Sequence, residues 1–230
     1  MTAAVTCDVK WTAGCAEEAP ELLVRYESCG FEEAHEAVLD PLPAHARDVL
    51  DVGAGTGRDV AHLAAKGNRV VAVEPTTALR EAAAELHPSA AIEWVDDGLP
   101  ALKTVVGRGT RFDFILMSAV WMHLDEQERS RAMPVIASLL APGGTVVMTL
   151  RHGPVPTGRR MFAVTGTETV TLAETSGLET IRCRHAESRR ADNRRASVSW
   201  TTLVFRAPSP SDQLLRSGGF GVAVVTGDRQ

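Results

Sequence analysis

No stretch of the sequence approaches the roughly 18 consecutive apolar residues that a membrane-spanning helix needs, so no membrane association is expected. No basic-then-apolar leader opens the chain, and a cytoplasmic protein is expected. Cysteine is scarce. Cys7, Cys15, Cys29 and Cys183 show neither Cys-x-x-Cys nor zinc-finger spacing, so free thiols are expected rather than a disulfide framework or a metal site. Three of the four fall before residue 30, which leaves a soft-metalloid or redox role open there. Basic residues are not in excess. There are 24 Lys and Arg against 29 Asp and Glu, a net charge of −5, so the broad basic surface of a nucleic-acid binder is not expected. There is no internal repeat.

What is present suits one domain of ordinary size: 230 residues, 44% of them apolar. The charge is uneven. Residues 1–100 carry 18 acidic and 7 basic side chains, whereas residues 151–230 carry 7 and 12. An acidic front and an arginine-rich back fit local recognition of a small anionic group, or arginines solvated on edge strands.

The chain is organised around residues 48–59. Val49-Leu50-Asp51-Val52 reads as a buried parallel strand. Gly53, Gly55 and Gly57 follow at alternate positions and give a tight turn that lets a ligand approach the backbone. A helical pattern runs from Arg58 to Lys66, and Gly67 is its expected C-cap. Strand, glycine turn and helix form a nucleotide-type cradle. A dinucleotide fingerprint would be Gly-x-Gly-x-x-Gly, and here Arg58 stands at the third glycine position. A second strand, Arg69 to Val73, ends at Glu74-Pro75, about the distance at which an acid accepts hydrogen bonds from ribose hydroxyls. That acid would serve NAD as well as any other adenosine cofactor.

The acid followed by Gly-x-Gly-x-Gly (Asp51, Gly53, Gly55, Gly57) resembles motif I of the class I S-adenosylmethionine-dependent methyltransferases. The resemblance covers about residues 45–206 and also rests on Glu74, the Asp96-Asp97 region and Pro142-Gly143-Gly144. It implies an α/β fold: a Rossmann-like, doubly wound, mostly parallel sheet with an antiparallel closing strand. A short N-terminal helical lid (1–44) would precede the domain (45–206), and a flexible tail (207–230) would follow it. It implies S-adenosyl-L-methionine as cofactor, held by Asp51, Gly53, Ala54, Gly55, Arg58, Glu74, Pro75, Asp96, Asp97, Gly98 and Ser118. Asp96 is preferred to Asp97 for the adenine amino group. The end of the glycine motif also looks like tellurite-resistance-type methyltransferases.

Further strands are expected at 91–95, 112–117 and 145–150, with helices at 78–86 and about 126–140, the latter capped by Asp125. Ala141-Pro142-Gly143-Gly144 is expected as a tight turn. A helix over 167–176 and β-rich stretches 178–185 and 197–206 would complete the sheet, with an arginine-rich link at 187–195. Glu21–Tyr26 and Phe31–Leu39 read as the two lid helices.

The resemblance places the ends of strands four and five beside the transferred methyl. Ser118, Trp121, His123, Arg151 and His152 sit there. His123 or His152 could act as base, and Arg151 could hold an anionic group bidentately. Tyr26, Phe31 and Trp121 are candidates to line the acceptor site. Enzymes that methylate exocyclic base amines carry a polar-Pro-Pro-aromatic motif, where this chain has Ser118-Ala119-Val120-Trp121. No cysteine follows a proline, as cytosine C5 chemistry would require. O- or N-methylation of a small-molecule acceptor is therefore expected, with a homodimer left open. The alternatives are a non-catalytic cofactor-binding module and an NAD-dependent oxidoreductase.

Overall fold

The computed structural model describes Thr12, residues 18–35 and residues 47–211. Two short helices, α1 (Ala19–Glu27) and α2 (Phe31–His35), precede an alternation of strands and helices. The order is β1 (Asp48–Val52), α3 (Arg58–Ala65), β2 (Arg69–Val73), α4 (Thr77–Leu86), β3 (Ile92–Val95), α5 (Lys103–Gly107) and β4 (Phe112–Ser118). Then follow α6 (Glu126–Leu139), β5 (Leu140–His152), α7 (Gly166–Thr175), β6 (Glu179–Glu187), α8 (Ala191–Arg195) and β7 (Ser199–Arg206). The seven strands form one sheet in the order β3-β2-β1-β4-β5-β7-β6. β1 to β5 are parallel and β7 closes antiparallel to β5, as expected from the resemblance.

The order reverses between β1 and β4, where the crossovers diverge and leave a crevice at the carboxyl ends of the strands. Alternate residues of each strand feed two cores. On one face Val49, Phe114, Leu116 and Val147 pack against Val60 and Leu63 of α3. On the other, Leu50, Ile115, Met117, Val146 and Met148 pack against Met133 and Ile136 of α6. Each such fully buried side chain contributes about 1.5–3 kcal/mol by leaving water.

α6 begins where the sequence indicated. The Asp125 carboxylate accepts from the Glu128 N–H at 2.8 Å, and the Glu128 carboxylate accepts from the Asp125 N–H at 2.8 Å. This reciprocal box satisfies two N–H groups that the helix start would otherwise leave open. Two expectations are corrected and one element is new. Pro142-Gly143-Gly144 is not a turn between helix and strand. β5 already begins at Leu140, opposite Phe112, and residues 141–144 bulge out of the ladder before Thr145 resumes it opposite Phe114. Lys103–Gly107 forms α5, which no expectation included. The arginine-rich link contains α8. Of the expected second lid helix, residues 36–39 lie outside the described residues, as do Cys7, Cys15 and residues 212–230 of the expected tail.

The glycines of the motif are not equivalent. Gly57 has φ +87°, and a Cβ there would lie 2.9 Å from both the His87 ring and the Trp94 ring. At Gly55, with φ +57°, the nearest atom to a Cβ is the Gly53 carbonyl oxygen at 3.9 Å. Gly57→Ala therefore meets both backbone strain and overpacking, and should cost about 2–4 kcal/mol. Gly55→Ala meets strain alone, about 1–2 kcal/mol. Urea unfolding of the two variants checks the ranking, and equal losses would show that the packing of Gly57 on α4 and β3 does not matter.

Candidate active site

The glycine turn is stitched to the neighbouring strand. The N–H groups of Gly53 and Ala54 both donate to the Val73 carbonyl, at 2.8 and 2.9 Å. Glu74, one residue on, is buried, and its carboxylate spans two backbone donors: Gly55 N–H at 2.9 Å and Thr76 N–H at 2.8 Å. Burial raises its pKa, opposed by the Thr76 and Gly55 hydrogen bonds and by Arg80. Each carboxylate oxygen keeps acceptor capacity, since an ionised carboxylate offers about four lone-pair sites.

Asp51 lies beneath the turn and is 2% exposed. No hydrogen bond to its carboxylate is formed among the described residues. Burial raises its pKa well above the usual range, repulsion from Asp59 and Glu74 adds to this, and Arg58 opposes it. Asp59 is differently placed. Although burial alone would raise its pKa, His35 at 2.6 Å and Arg58 at 2.7 Å outweigh that and lower it. Asp51 is thus a buried acid with no hydrogen bond or ion pair of its own among the described residues, a group that favours a positively charged ligand.

At the end of β3, Asp96 is exposed and pairs with Arg80 at 3.2 Å. Asp97 is buried, and both its oxygens are taken, by Gly98 N–H at 2.8 Å and Val105 N–H at 3.0 Å. Asp97 therefore ties down the start of α5 and leaves Asp96 as the accessible acid. Pro75 and Gly98 are buried, and Ser118 is half-buried at the end of β4.

The N-terminal helices are fastened to this turn. Glu27 of α1 accepts from the Thr56 hydroxyl at 2.6 Å and lies 3.4 Å from His87. Arg58 donates to the Tyr26 carbonyl at 3.2 Å. The other end of α1 is held by Glu18, which accepts from Arg159 at 2.6 Å. Phe31 does not line an open site. It is 3% exposed and stacks on His62 of α3, centroid to centroid 4.0 Å. Tyr26 is 40% exposed.

After β4 the chain makes a 3-10 turn, Trp121–His123. The expectation for Trp121 is corrected: it is fully buried in the core, with its indole N–H unpaired among the described residues. The turn points His123 elsewhere. Its Nδ1 lies 2.7 Å from the Arg160 carbonyl oxygen. A carbonyl only accepts, so Nδ1 carries the proton and Nε2 keeps a lone pair. Burial lowers the His123 pKa, the Arg160 carbonyl opposes this, and Arg159, Arg160 and Arg151 lower it further. The ring is therefore neutral near pH 7.

Arg151, at the end of β5, donates to the Pro154 carbonyl at 2.9 Å. Burial lowers its pKa, the charge of Arg25 adds to this and Tyr26 opposes it, so both α1 side chains act on it. His152 is on the opposite face of β5. Its Nε2 meets the Thr201 hydroxyl at 2.8 Å, and the His185 ring is 5.4 Å away. The charge of Arg151 thus reaches His123, while His152 pairs with Thr201 beside His185. Sequence reasoning missed Arg25 and the clasp made by Arg160; neither belongs to a local motif. Among the described residues there is no cluster of three His, Cys, Asp or Glu side chains suited to a metal ion, and no helix long and apolar enough to cross a membrane. The Cys29 thiol has a raised pKa, first from burial and then from Glu33, and is not an activated nucleophile.

Residues 49–144 match the methyltransferase-domain family. An uncharacterized methyltransferase of Mycobacterium tuberculosis is 36% identical over 110 residues, which is 47% of this chain and 42% of that protein. One from Alkaliphilus oremlandii is 32% identical over 122 residues, 51% of this chain and 52% of its own length. The chain thus spans about half the length of the relatives it matches. The N-methyltransferase NodS of Bradyrhizobium japonicum, solved with S-adenosyl-L-homocysteine, superposes with a TM-score of 0.65 at 22% identity, covering 84% of this chain and 98% of NodS. The cyclase SpnF superposes at 0.66 with 15% identity, covering 87% and 97%. At such identities the likeness shows the fold, and SpnF shows that the fold hosts more than one reaction.

The fold and the glycine-turn site are those of a nucleotide-cofactor α/β domain. Residues 49–144, which hold this turn and the strands that follow it, are similar to the methyltransferase-domain family.

Proposed function

We propose that the protein transfers the methyl group of S-adenosyl-L-methionine to an oxygen or nitrogen of a small anionic acceptor. The observation that carries the anionic part is Arg151 at the carboxyl end of β5, where its charge acts on His123 and feels that of Arg25.

The residues present fit the cofactor. A Cβ at Gly55 would have no atom nearer than the Gly53 carbonyl oxygen at 3.9 Å, which leaves room over the turn, and Asp51 is a buried acid with no hydrogen bond among the described residues. In this reading Glu74 accepts from the ribose hydroxyls, Asp51 faces the cationic methionine end and Asp96 takes the adenine amino group. The cofactor, when bound, supplies an activated methyl that passes by in-line displacement. The chain's own part is alignment and exclusion of water. Arg151 fixes the acceptor's anionic group. His123 takes the acceptor's proton at Nε2 when the acceptor is a hydroxyl or amine. Helix α1, fastened at both ends, covers this space and supplies Arg25 and Tyr26.

Calorimetry is expected to show binding of S-adenosylhomocysteine in preference to NAD, because the Gly-x-Gly-x-Gly turn lacks the third glycine that lets the helix approach a pyrophosphate. Binding of NAD alone would overturn the cofactor assignment. Transfer of labelled methyl to a panel of small carboxylates, phenols and amines then tests the acceptor. Activity confined to acceptors without an anionic group would overturn the role of Arg151.

A further inference from the structure

The loop after β5 doubles back along the 3-10 turn that carries His123. The Phe162 N–H donates to the Met122 carbonyl at 2.8 Å. Arg160 then meets His123 twice and reciprocally. Its carbonyl oxygen accepts from His123 Nδ1 at 2.7 Å, and its guanidinium donates to the His123 carbonyl at 2.6 Å. The same guanidinium reaches both carboxylates of the α6 capping box, Glu128 at 2.8 Å and Asp125 at 3.2 Å, and lies 4.6 Å above the Phe162 ring. Both terminal nitrogens of the planar fork are therefore engaged, on the 3-10 turn and on the start of α6 at once, and a point charge could not reproduce the geometry. Nε2 of His123 has no partner among the described residues.

We infer that Arg160 is a positioning residue, holding the imidazole of His123 in the Nδ1–H tautomer and in one orientation so that Nε2 is free to accept a proton. The inference rests on His123 being the base of the proposed reaction, but the tautomer itself does not depend on it. Two further effects follow from the same contacts. The groups facing His123 are the cations Arg159 and Arg160 from the loop and Arg151 from β5, with Asp125 and Glu128 of α6 on the far side of Arg160. Arg160 both discourages a positive imidazole and separates it from the two carboxylates. Removing the guanidinium loses the repulsion and exposes the ring to the acids, so the acid limb of a pH–rate profile moves up.

The test is nitrogen NMR of the full chain with labelled histidine, His123 being assigned from the His123→Ala spectrum. The parent should show Nδ1–H at His123 and titration below that of an ordinary histidine. Arg160→Met should mix the tautomers, raise the titration midpoint and raise the acid limb of turnover by the same amount. Arg160→Lys keeps the charge without the fork, so its midpoint should stay near the parent's while the tautomers mix. If Arg160→Met does not fold, the parent and Arg160→Lys spectra decide alone. An Nε2–H tautomer in the parent overturns the inference. So does a parent-like tautomer and titration in the variants that fold, even with a lowered melting temperature, because that leaves Arg160 as a support for the α6 cap only. A shifted His123 together with unchanged turnover in His123→Ala would keep the positioning role and overturn the base.

Discussion

Glu74→Gln is expected to weaken S-adenosylhomocysteine binding by roughly a hundredfold, read by calorimetry on a folded variant. The buried carboxylate accepts from Gly55 and Thr76, and in the proposed mode it also accepts from two ribose hydroxyls. Hydrogen bonds to a charged acceptor are worth about 1.5–3 kcal/mol each. A glutamine has one acceptor oxygen, and its amide must turn donor hydrogens toward donors. Losing the equivalent of one to two such bonds gives about 3 kcal/mol, or two powers of ten. The pH dependence carries a sign that separates this from a generic loss. Burial raises the Glu74 pKa above the ordinary carboxylate value. The folded chain therefore holds this proton more tightly than the unfolded one, so the group's contribution to stability is greatest in acid and is lost as pH rises through its raised pKa. Affinity runs the other way, since only the ionised form accepts from both hydroxyls. The parent should lose affinity on the acid side at a higher pH than an ordinary carboxylate would, and Glu74→Gln should lose that dependence. Parental affinity in Glu74→Gln would place the ribose elsewhere.

The parts of this molecule that were legible in the sequence are those with local causes. Val49–Val52 and Arg69–Val73 are short valine-rich runs, too short for buried helices, that read as buried strands, and the glycines between them announce the turn. Asp125 with Glu128 three residues on announces a helix start. The misreadings have a common origin in contacts that sequence spacing does not record. Trp121 stands where an acceptor would lie, but the chain after β4 turns inward and the largest apolar side chain of the turn fills the core. Phe31 reads as a lid aromatic, yet its partner is His62, 31 positions away. Asp97 cannot be distinguished from Asp96 until α5 is seen to draw on it from Val105. That helix is too short, and Thr104-Val105-Val106 too β-branched, to show as a periodic pattern. The clasp from Arg160 to His123 spans 37 positions and has no signature at all.

His123→Ala is expected to lower turnover by roughly a hundredfold or more, with S-adenosylhomocysteine affinity unchanged, when the acceptor is a hydroxyl or an amine. The ring has its Nδ1 proton held by a backbone carbonyl and a depressed pKa, caused first by burial, so near neutral pH it is the deprotonated form that meets the acceptor. His152→Ala should not share the effect. His152 pairs with the Thr201 hydroxyl beside the His185 ring, and its replacement is expected to leave turnover within about threefold of the parent, the range left by a residue that touches no reacting atom. Arg151→Ala should raise KM for an anionic acceptor by roughly tenfold to a hundredfold, the value of a charge-assisted contact, with cofactor binding intact. The three variants together also separate two mechanisms. A carboxylate acceptor is already ionised and needs no base. With such an acceptor both histidine variants keep near-parental turnover, and Arg151→Ala alone is impaired. Loss in His152→Ala matching that in His123→Ala would contradict the assignment of the base to His123 alone. Parental behaviour of all three would mean that the acceptor is not bound at the end of β5, and Tyr26 and Arg25 of α1 would then be the next positions to vary.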